Sequence, residues 1–348
     1  MTKTNPGNFF EDFKIGQMIA HATPRTVTEG DVALYTALFP VRFALQSSDE
    51  FARGVGYARA PIDDMLAFHI VFGKTVPDIS LNAVANLGYA DCRFLKPVFP
   101  GDTLSASSEV IGMKENSNGK TGVVYVRSTG HNQAGDAVLD YVRWVMVRKR
   151  DASSPAPDPV VPDLARAVAG DAVAPQHVPG FGHFDFAASG APYRWGDYEV
   201  GEKIDHVDGV TIEEAEHMMA TRLYQNTAKV HLNQFTEGKG RFGRRLIYGG
   251  HVISLARALS FNGLGNALLV VAINGGRHVA PCFGGDTVFA WSHVLEKAPC
   301  PGRDDLGLLR IRTIAAKDRM CHDFPGMEND GDGEGVILDL DYWVLMPR

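Results

Sequence analysis

The chain states one pattern twice. Cys92-Arg93-Phe94-Leu95-Lys96-Pro97-Val98-Phe99-Pro100-Gly101-Asp102-Thr103 returns as Gly276-Arg277-His278-Val279-Ala280-Pro281-Cys282-Phe283-Gly284-Gly285-Asp286-Thr287. Pro97 to Pro281 and Asp102 to Asp286 are both separations of 184 residues. The openings repeat as well, Asp12-Phe13-Lys14-Ile15-Gly16 against Asp197-Tyr198-Glu199-Val200-Gly201, 185 apart. So do the ends, Leu139-Asp140 with Trp144-Val145 against Leu338-Asp339 with Trp343-Val344, 199 apart. Landmarks recurring in one order at so long a period mark a tandem pair of domains rather than a solenoid. The larger final offset assigns an insertion to the end of the second copy. Function is then to be sought where the copies meet or differ.

A length of 348 residues agrees with two domains, and 45% apolar content is enough for two buried cores. The net charge of −7 speaks against a general nucleic-acid binder, which needs a basic face. No apolar stretch follows Met1 to Asn8, so no signal peptide is expected. No run approaches the roughly 18 apolar residues of a spanning helix, and a cytoplasmic, membrane-free protein is expected. Cys92, Cys282, Cys300 and Cys321 form no CxxC pair, which favours reduced thiols. Cys321-His322-Asp323 leads into an Asp/Gly-rich loop without further ligands, so no metal is expected.

The organisation reads as an N-terminal unit over 8–150, a connector over 151–189 and a C-terminal unit over 190–348. The connector region carries Pro155, Pro157, Pro159, Pro162, Pro175 and Pro179, which rules out a regular ladder and reads as an extended linker. A short helix over 162–168 fits inside it. Each copy holds a nearly all-round apolar helix, at 62–74 and 252–259, hence buried. A shorter helix precedes each, at 28–39 and 211–223, with Thr28 and Thr211 as N-caps. Strands are expected at 103–111, 122–130 and 137–148, and again at 287–295, 307–315 and 336–346. A buried helix followed by an antiparallel meander is an α+β unit whose curved sheet wraps the helix.

This order of elements, with a strand ending in Arg93-Phe94-Leu95-Lys96-Pro97-Val98-Phe99-Pro100-Gly101-Asp102-Thr103, resembles the MaoC-like acyl-CoA hydratases of the hot-dog fold. Two fused copies resemble the double hot-dog dehydratases. Tyr224-Gln225-Asn226-Thr227-Ala228-Lys229-Val230-His231, with Ile247-Tyr248-Gly249-Gly250-His251 downstream, is most similar to the mesaconyl-CoA hydratase (β-methylmalyl-CoA dehydratase) group. The resemblance implies a hydro-lyase that adds water across a double bond conjugated to a thioester, with CoA part of the substrate and no separate cofactor. The partner expected is an acyl-CoA thioester, and a homodimer is an allowed assembly.

In the R-specific hydratases the motif is Asp-x-Asn-Pro-x-His, with Asp and His as the acid/base pair. His231 matches the His, while Asn226 stands at the Asp and Ala228 at the Asn. Asn226 can orient a water but cannot take its proton. His231 then works nearly alone, or a carboxylate comes from elsewhere. The first copy, reading Ala37-Leu38-Phe39-Pro40-Val41-Arg42, lacks the His but has Asp63 and Asp64 at its helix entrance. If the site forms between the copies, Asp63 is the candidate carboxylate. The plain alternative is that both acids only favour the first helical turn. Gly250, behind Gly249 at a helix start, is a candidate oxyanion donor, because free N–H groups and the helix dipole point there. The CoA path is expected along Ala60, Pro61, Ile62 and Asp63, then Ala83, Val84, Ala85 and Asn86, then Phe94, Leu95 and Lys96. Arg93 and Lys96 could meet CoA's anionic groups. Arg222, Arg241, Arg244 and Arg245 are candidates for a substrate carboxylate. His251 reads as a packed helix residue. A hot-dog thioesterase and a non-catalytic acyl-CoA binder are the competing readings.

Overall fold

The structure is a computed structural model that describes residues 3–173, 177–327 and 332–348. Pro175 of the connector and residues 328–331 of the late insertion lie outside the described residues. The first copy runs β1 (Met18–Thr26), α1 (Glu29–Leu38), α2 (Ala44–Ser47), α3 (Asp49–Gly54), α4 (Asp64–Thr75), then β2 (Ala83–Phe94), β3 (Thr103–Glu115), β4 (Thr121–His131) and β5 (Ala137–Arg148). After α5 (Phe186–Ser189) in the connector, the second repeats it. Its elements are β6 (Lys203–Thr211), α6 (Glu214–Leu223), α7 (Lys229–Leu232), α8 (Gln234–Glu237), α9 (Gly249–Leu259), α10 (Phe261–Leu264), β7 (Leu269–His278), β8 (Thr287–Pro299), β9 (Leu306–Lys317) and β10 (Val336–Pro347).

All ten strands form one antiparallel sheet in the order β1-β3-β4-β5-β2-β7-β10-β9-β8-β6. The seam is the β2–β7 pair, with Tyr89 opposite Gly276 and Cys92 opposite Ile273. An offset of 185 maps α1 onto α6, α2 onto α7, and the N-cap Asp63 of α4 onto the N-cap Tyr248 of α9. The halves are thus related by a pseudo-two-fold axis through the seam. Because the two seam strands run oppositely, the start of β2 lies beside the end of β7.

Local chemistry sets the helix boundaries. Thr28 caps α1 as expected, its hydroxyl accepting from Asp31 N while Asp31 accepts from Thr28 N at 2.8 Å. Thr211 does not cap α6. It ends β6 and pairs its hydroxyl with Thr287 across the strands, leaving Glu213 at the N-cap. A β-branched residue facing a cross-strand partner is better used there than as a cap. Helix α4 is buried from Met65 to Thr75 and α9 from Gly250 to Leu259, so both helices lie inside the wrap. Their apolar side chains belong to one continuous cluster spanning both copies, not two separate cores.

The connector does more than bridge. Val160 pairs with Met113 as an isolated bridge, and Val168 and Val173 are buried. Val168 donates to Asn274 Oδ1 and accepts from Trp343 Nε1 at 2.8 Å. No helix forms over 162–168, since these prolines and the outward backbone bonds favour an extended path, and only Gly170–Ala172 makes a single tight turn.

Candidate active site

The loop after α6 carries the motif, and its shape is set from both copies. Gln225 holds a left-handed φ of 55°, which turns the chain so that Asn226 N can reach back to Thr221 O at 3.1 Å. The first copy clamps this turn. Arg25 of β1 donates to Leu223 O, and Lys74 of α4 donates to Gln225 Oε1 at 3.1 Å. Gly73 lets the backbone come closest, since a β-carbon there would stand 2.9 Å from the Tyr224 carbonyl carbon. Asn226 is 2% exposed, and its Oδ1 accepts from Ala228 N at 3.0 Å. Its Nδ2 donates to nothing among the described residues, leaving it available to a bound water or substrate.

His231 sits on α7, partly buried, with Nδ1 bonded to Leu246 O at 2.9 Å. A carbonyl can only accept, so Nδ1 carries the proton and Nε2 presents a bare lone pair. Burial pushes the imidazole down to about 4, which leaves it neutral and able to act as a base at neutral pH. Its ring lies 5.4 Å from that of Tyr248 and 6.1 Å from that of His217.

Tyr248, at the N-cap of α9, offers no side-chain cap, and Gly249 and Gly250 open the helix. Their amides have no protein acceptor among the described residues, so free N–H groups stand at the positive end of the helix dipole. Side chains are barred at both positions. A β-carbon on Gly249 would strike His278, and one on Gly250 would strike Tyr248 and His69. His217 of α6 fixes the turn by accepting from Tyr248 N at 2.9 Å. Burial drives His217 to about 2, His251 and His69 to about 3 and His278 to about 4, so the helix start is ringed by neutral imidazoles. Of the imidazoles near this helix start, only His231 stood out in the sequence as a candidate. His251 is packed against Phe39 at 4.8 Å, as expected. His69 and His217 carry no local motif, and His278, though inside the repeated strand end, is brought to this helix start only by the fold.

Asn226, His231 and Gly250 are therefore gathered at one end of α9. Asp63 is not brought to them. It caps α4 by accepting from Met65 N at 2.8 Å, it is buried, and its other partner is Tyr35 OH at 3.4 Å. Six helical residues, roughly 9 Å of rise, separate it from His69, the α4 residue that meets Gly250. A hydrogen-bonded chain does link the two ends. Tyr35 OH donates to Ser254 at 2.9 Å, and Ser254 meets His69 Nε2 at 3.0 Å. Asp64 is also committed, accepting from Val270 N at 2.9 Å, and burial first, then Asp63, raises it to about 8. The bare first-turn reading of these acids thus fits their contacts.

The expected CoA path is split. Ala60, Pro61 and Ile62 stay at the first copy's helix entrance, where Ile62 N donates to Val98 O. Phe94, Leu95 and Lys96 line a cavity of about 360 Å³ with Arg93, Val168 and Val271. Lys96 is paired with Asp136 at 2.9 Å and Arg93 with Asp91 at 2.8 Å. Ala83, Val84, Ala85 and Asn86 do not lie at their own copy's helix entrance. They begin β2 and run toward the end of β7, so they approach the second copy's entrance instead. The reason is the antiparallel seam, which sequence spacing within one copy cannot reveal. Arg245 pairs with Glu214, and Arg244 stacks on Phe283 at 3.9 Å. The first copy's counterpart of His231 is Gln46 and that of Asn226 is Val41, at the same offset of 185 that relates α2 and α7. The equivalent of Gly250 is Met65, so none of the three candidate residues recurs at that end. No group of three metal-binding side chains occurs among the described residues.

A fused pair of helix-wrapping sheets, with buried neutral imidazoles around one open helix start, defines a double hot-dog protein of the MaoC-like hydratase class. Solved structures agree. A MaoC domain protein dehydratase from Chloroflexus aurantiacus has a TM-score of 0.97 at 64% identity, covering 100% of this chain and 99% of that one. A Mycobacterium tuberculosis protein with a double hotdog fold has a TM-score of 0.78 at 25% identity, covering 99% of each chain. The family model described as mesaconyl-CoA hydratase matches residues 1–327, and the chain belongs to that family. Curated relatives are a beta-methylmalyl-CoA dehydratase of Chloroflexus aurantiacus, 64% identical with 99% of both chains covered, and a mesaconyl-CoA hydratase of Cereibacter sphaeroides, 62% identical with 99% of this chain and 100% of that one covered.

Proposed function

We propose that this chain interconverts mesaconyl-CoA and β-methylmalyl-CoA by reversible addition of water. The carrying observation is the full-length likeness to relatives bearing those two names, together with a bare His231 Nε2 beside the open N-terminus of α9. In hydration, Gly250 N–H takes the thioester oxygen, where negative charge grows as the enolate forms. Asn226 Nδ2 holds the water. His231 Nε2 removes a proton from that water as its oxygen bonds to the β-carbon, and the resulting imidazolium supplies the proton that the α-carbon gains. Proton transfer by one positioned group contributes on the order of 10²–10⁴ in rate. Neither Asp63 nor Asp64 takes part in this scheme.

The test is to add the purified chain to mesaconyl-CoA and follow enoyl-thioester absorbance together with free thiol. Loss of absorbance without thiol release is expected. Stoichiometric thiol release would identify a thioesterase, and no change in either signal would leave an acyl-CoA binder.

A further inference from the structure

Arg143 of β5 is 0% exposed, deep inside the sheet's concave face. Its guanidinium lies 4.3 Å from the centre of the Phe72 ring. Nη2 donates to Thr75 Oγ1 at 2.7 Å, the two terminal nitrogens reach Ser80 Oγ only at 3.4 and 3.5 Å, and Nε is buried without a partner. No carboxylate pairs with it among the described residues. Asp78, on the same turn as Ser80, is engaged by His21 at 2.8 Å instead. An unpaired buried cation is costly, and folded proteins normally supply it with an anion.

The surroundings point toward the active site. Arg143 stands opposite Tyr89 in the β2–β5 ladder, with Asn86 opposite Val145 on the same face. Tyr89 OH lies 3.4 Å from His278 Nε2, and the Phe72 ring lies 5.7 Å from Tyr248. Asn86 Oδ1 and Nδ2 and Tyr141 OH are, like Arg143 Nε, buried and unpartnered.

The pseudo-two-fold axis supplies an internal control. At the first copy's helix start Met65, Val270, Ile273, Leu340 and Tyr342, together with Ala256, Arg257 and Thr313, line a gap of only about 10 Å³. The counterparts of the first five are Gly250 (65 plus 185), Asn86 and Tyr89 (270 and 273 minus 184), and Tyr141 and Arg143 (340 and 342 minus 199). The first copy's end has a guanidinium too, but Arg257 is committed, stacked over Phe43 at 3.6 Å and donating to Ser260 Oγ and Ala267 O. The other end sets an amide for Val270, a phenol for Leu340 and, for Tyr342, a guanidinium whose Nε has no partner, and it removes the Met side chain. From this asymmetry we infer that Arg143, with Asn86 and Tyr141, receives the free carboxylate of a dicarboxylic acyl-CoA whose thioester lies at Gly250. A planar carboxylate matches the guanidinium fork and satisfies Nε. This assignment rests on the proposed hydratase reading and names the group that sets its substrate class. It also moves the role away from Arg222, Arg241, Arg244 and Arg245, of which Arg222, Arg241 and Arg244 are exposed.

The experiment compares full-length wild type with Arg143→Gln and Arg143→Lys, assaying hydration of mesaconyl-CoA and of the monocarboxylic crotonyl-CoA. Wild-type turnover of mesaconyl-CoA checks the hydratase reading by itself. Removing one side of a buried charge pair is expected to lower kcat/KM for mesaconyl-CoA by about 10²-fold, with the crotonyl-CoA value held or raised. Arg143→Lys keeps the charge but loses the fork, so it should fall between wild type and Arg143→Gln on mesaconyl-CoA alone. Equal losses on both substrates, or no loss on mesaconyl-CoA, overturn the assignment. Should the Arg143 variants fail to fold, Asn86→Asp sets a carboxylate beside the guanidinium. It must then raise KM for mesaconyl-CoA by a clearly larger factor than KM for crotonyl-CoA, and equal changes on the two substrates, or none, overturn the assignment equally.

Discussion

Gly73→Ala separates catalysis from stability, because the contact it disturbs lies between the copies. A β-carbon at 73 falls on the Tyr224 carbonyl oxygen and 2.9 Å from its carbon, with Asn226 N at 3.3 Å. Non-bonded heavy atoms settle at well over 3 Å, and the carbonyl oxygen lies closer than its carbon, so the loop must retreat by more than about 1 Å. Small overpacking of this kind costs about 1–3 kcal/mol. The same change gains about 0.8–1 kcal/mol of helix propensity in α4. Net destabilisation is then at most about 2 kcal/mol, a modest shift of the melting temperature. The retreating loop carries Asn226, however, and a displacement of about 1 Å at a reacting centre can cost on the order of 10²-fold. Expected together are a small fall in the thermal midpoint and a near-hundredfold fall in kcat on mesaconyl-CoA, read by enoyl-thioester absorbance. Gly54→Ala is the control, since nothing lies within 4 Å of a β-carbon there. A Gly73→Ala enzyme with kcat within twofold of wild type would refute the claim that the first copy positions the motif loop.

His231→Ala should lower kcat by about 10²–10⁴, whereas serine at each of Cys92, Cys282, Cys300 and Cys321 should leave kcat within a few-fold, since all four thiols are buried and outside the scheme; steady-state kinetics on the purified variants decides both. Because burial sets His231 near 4, the acid limb of kcat/KM should fall near that pH rather than near 6.5, and a limb at 6.5 in a pH–rate profile would contradict the buried neutral base. Buried His69, His217 and His251 are held neutral in the fold, with values of about 2–3 against about 6.5 unfolded. Their folded values are depressed, so the stability they contribute is complete above pH 6.5 and is lost as pH falls toward the folded values. Each loses about 2 kcal/mol by pH 5, and thermal midpoints that stay level from pH 7 to 5 would show these imidazoles to be solvated.

The sequence by itself determined the duplication and the helix-wrapping sheet of each copy, and it marked Asn226, His231 and Gly250 as the candidates that the fold gathers at one end of α9. Each of these is written locally, as a repeated strand end, an all-round apolar helix, or a motif followed by a glycine pair. Thr28 was legible as a cap because Asp31 three residues on completes a local box. Thr211 misled because its partner, Thr287, is 76 residues away across a strand pair. What tertiary structure decided is everything that depends on the seam. Antiparallel pairing of β2 with β7 carried Ala83 to Asn86 toward the other copy's helix, and left Asp63 at the end where Gln46, Val41 and Met65 stand in place of His231, Asn226 and Gly250. The same pairing set Arg143 of one copy on the face that leads to Gly250 of the other. No spacing along the chain encodes such a meeting, because side chains from different strands become neighbours only through strand order and register.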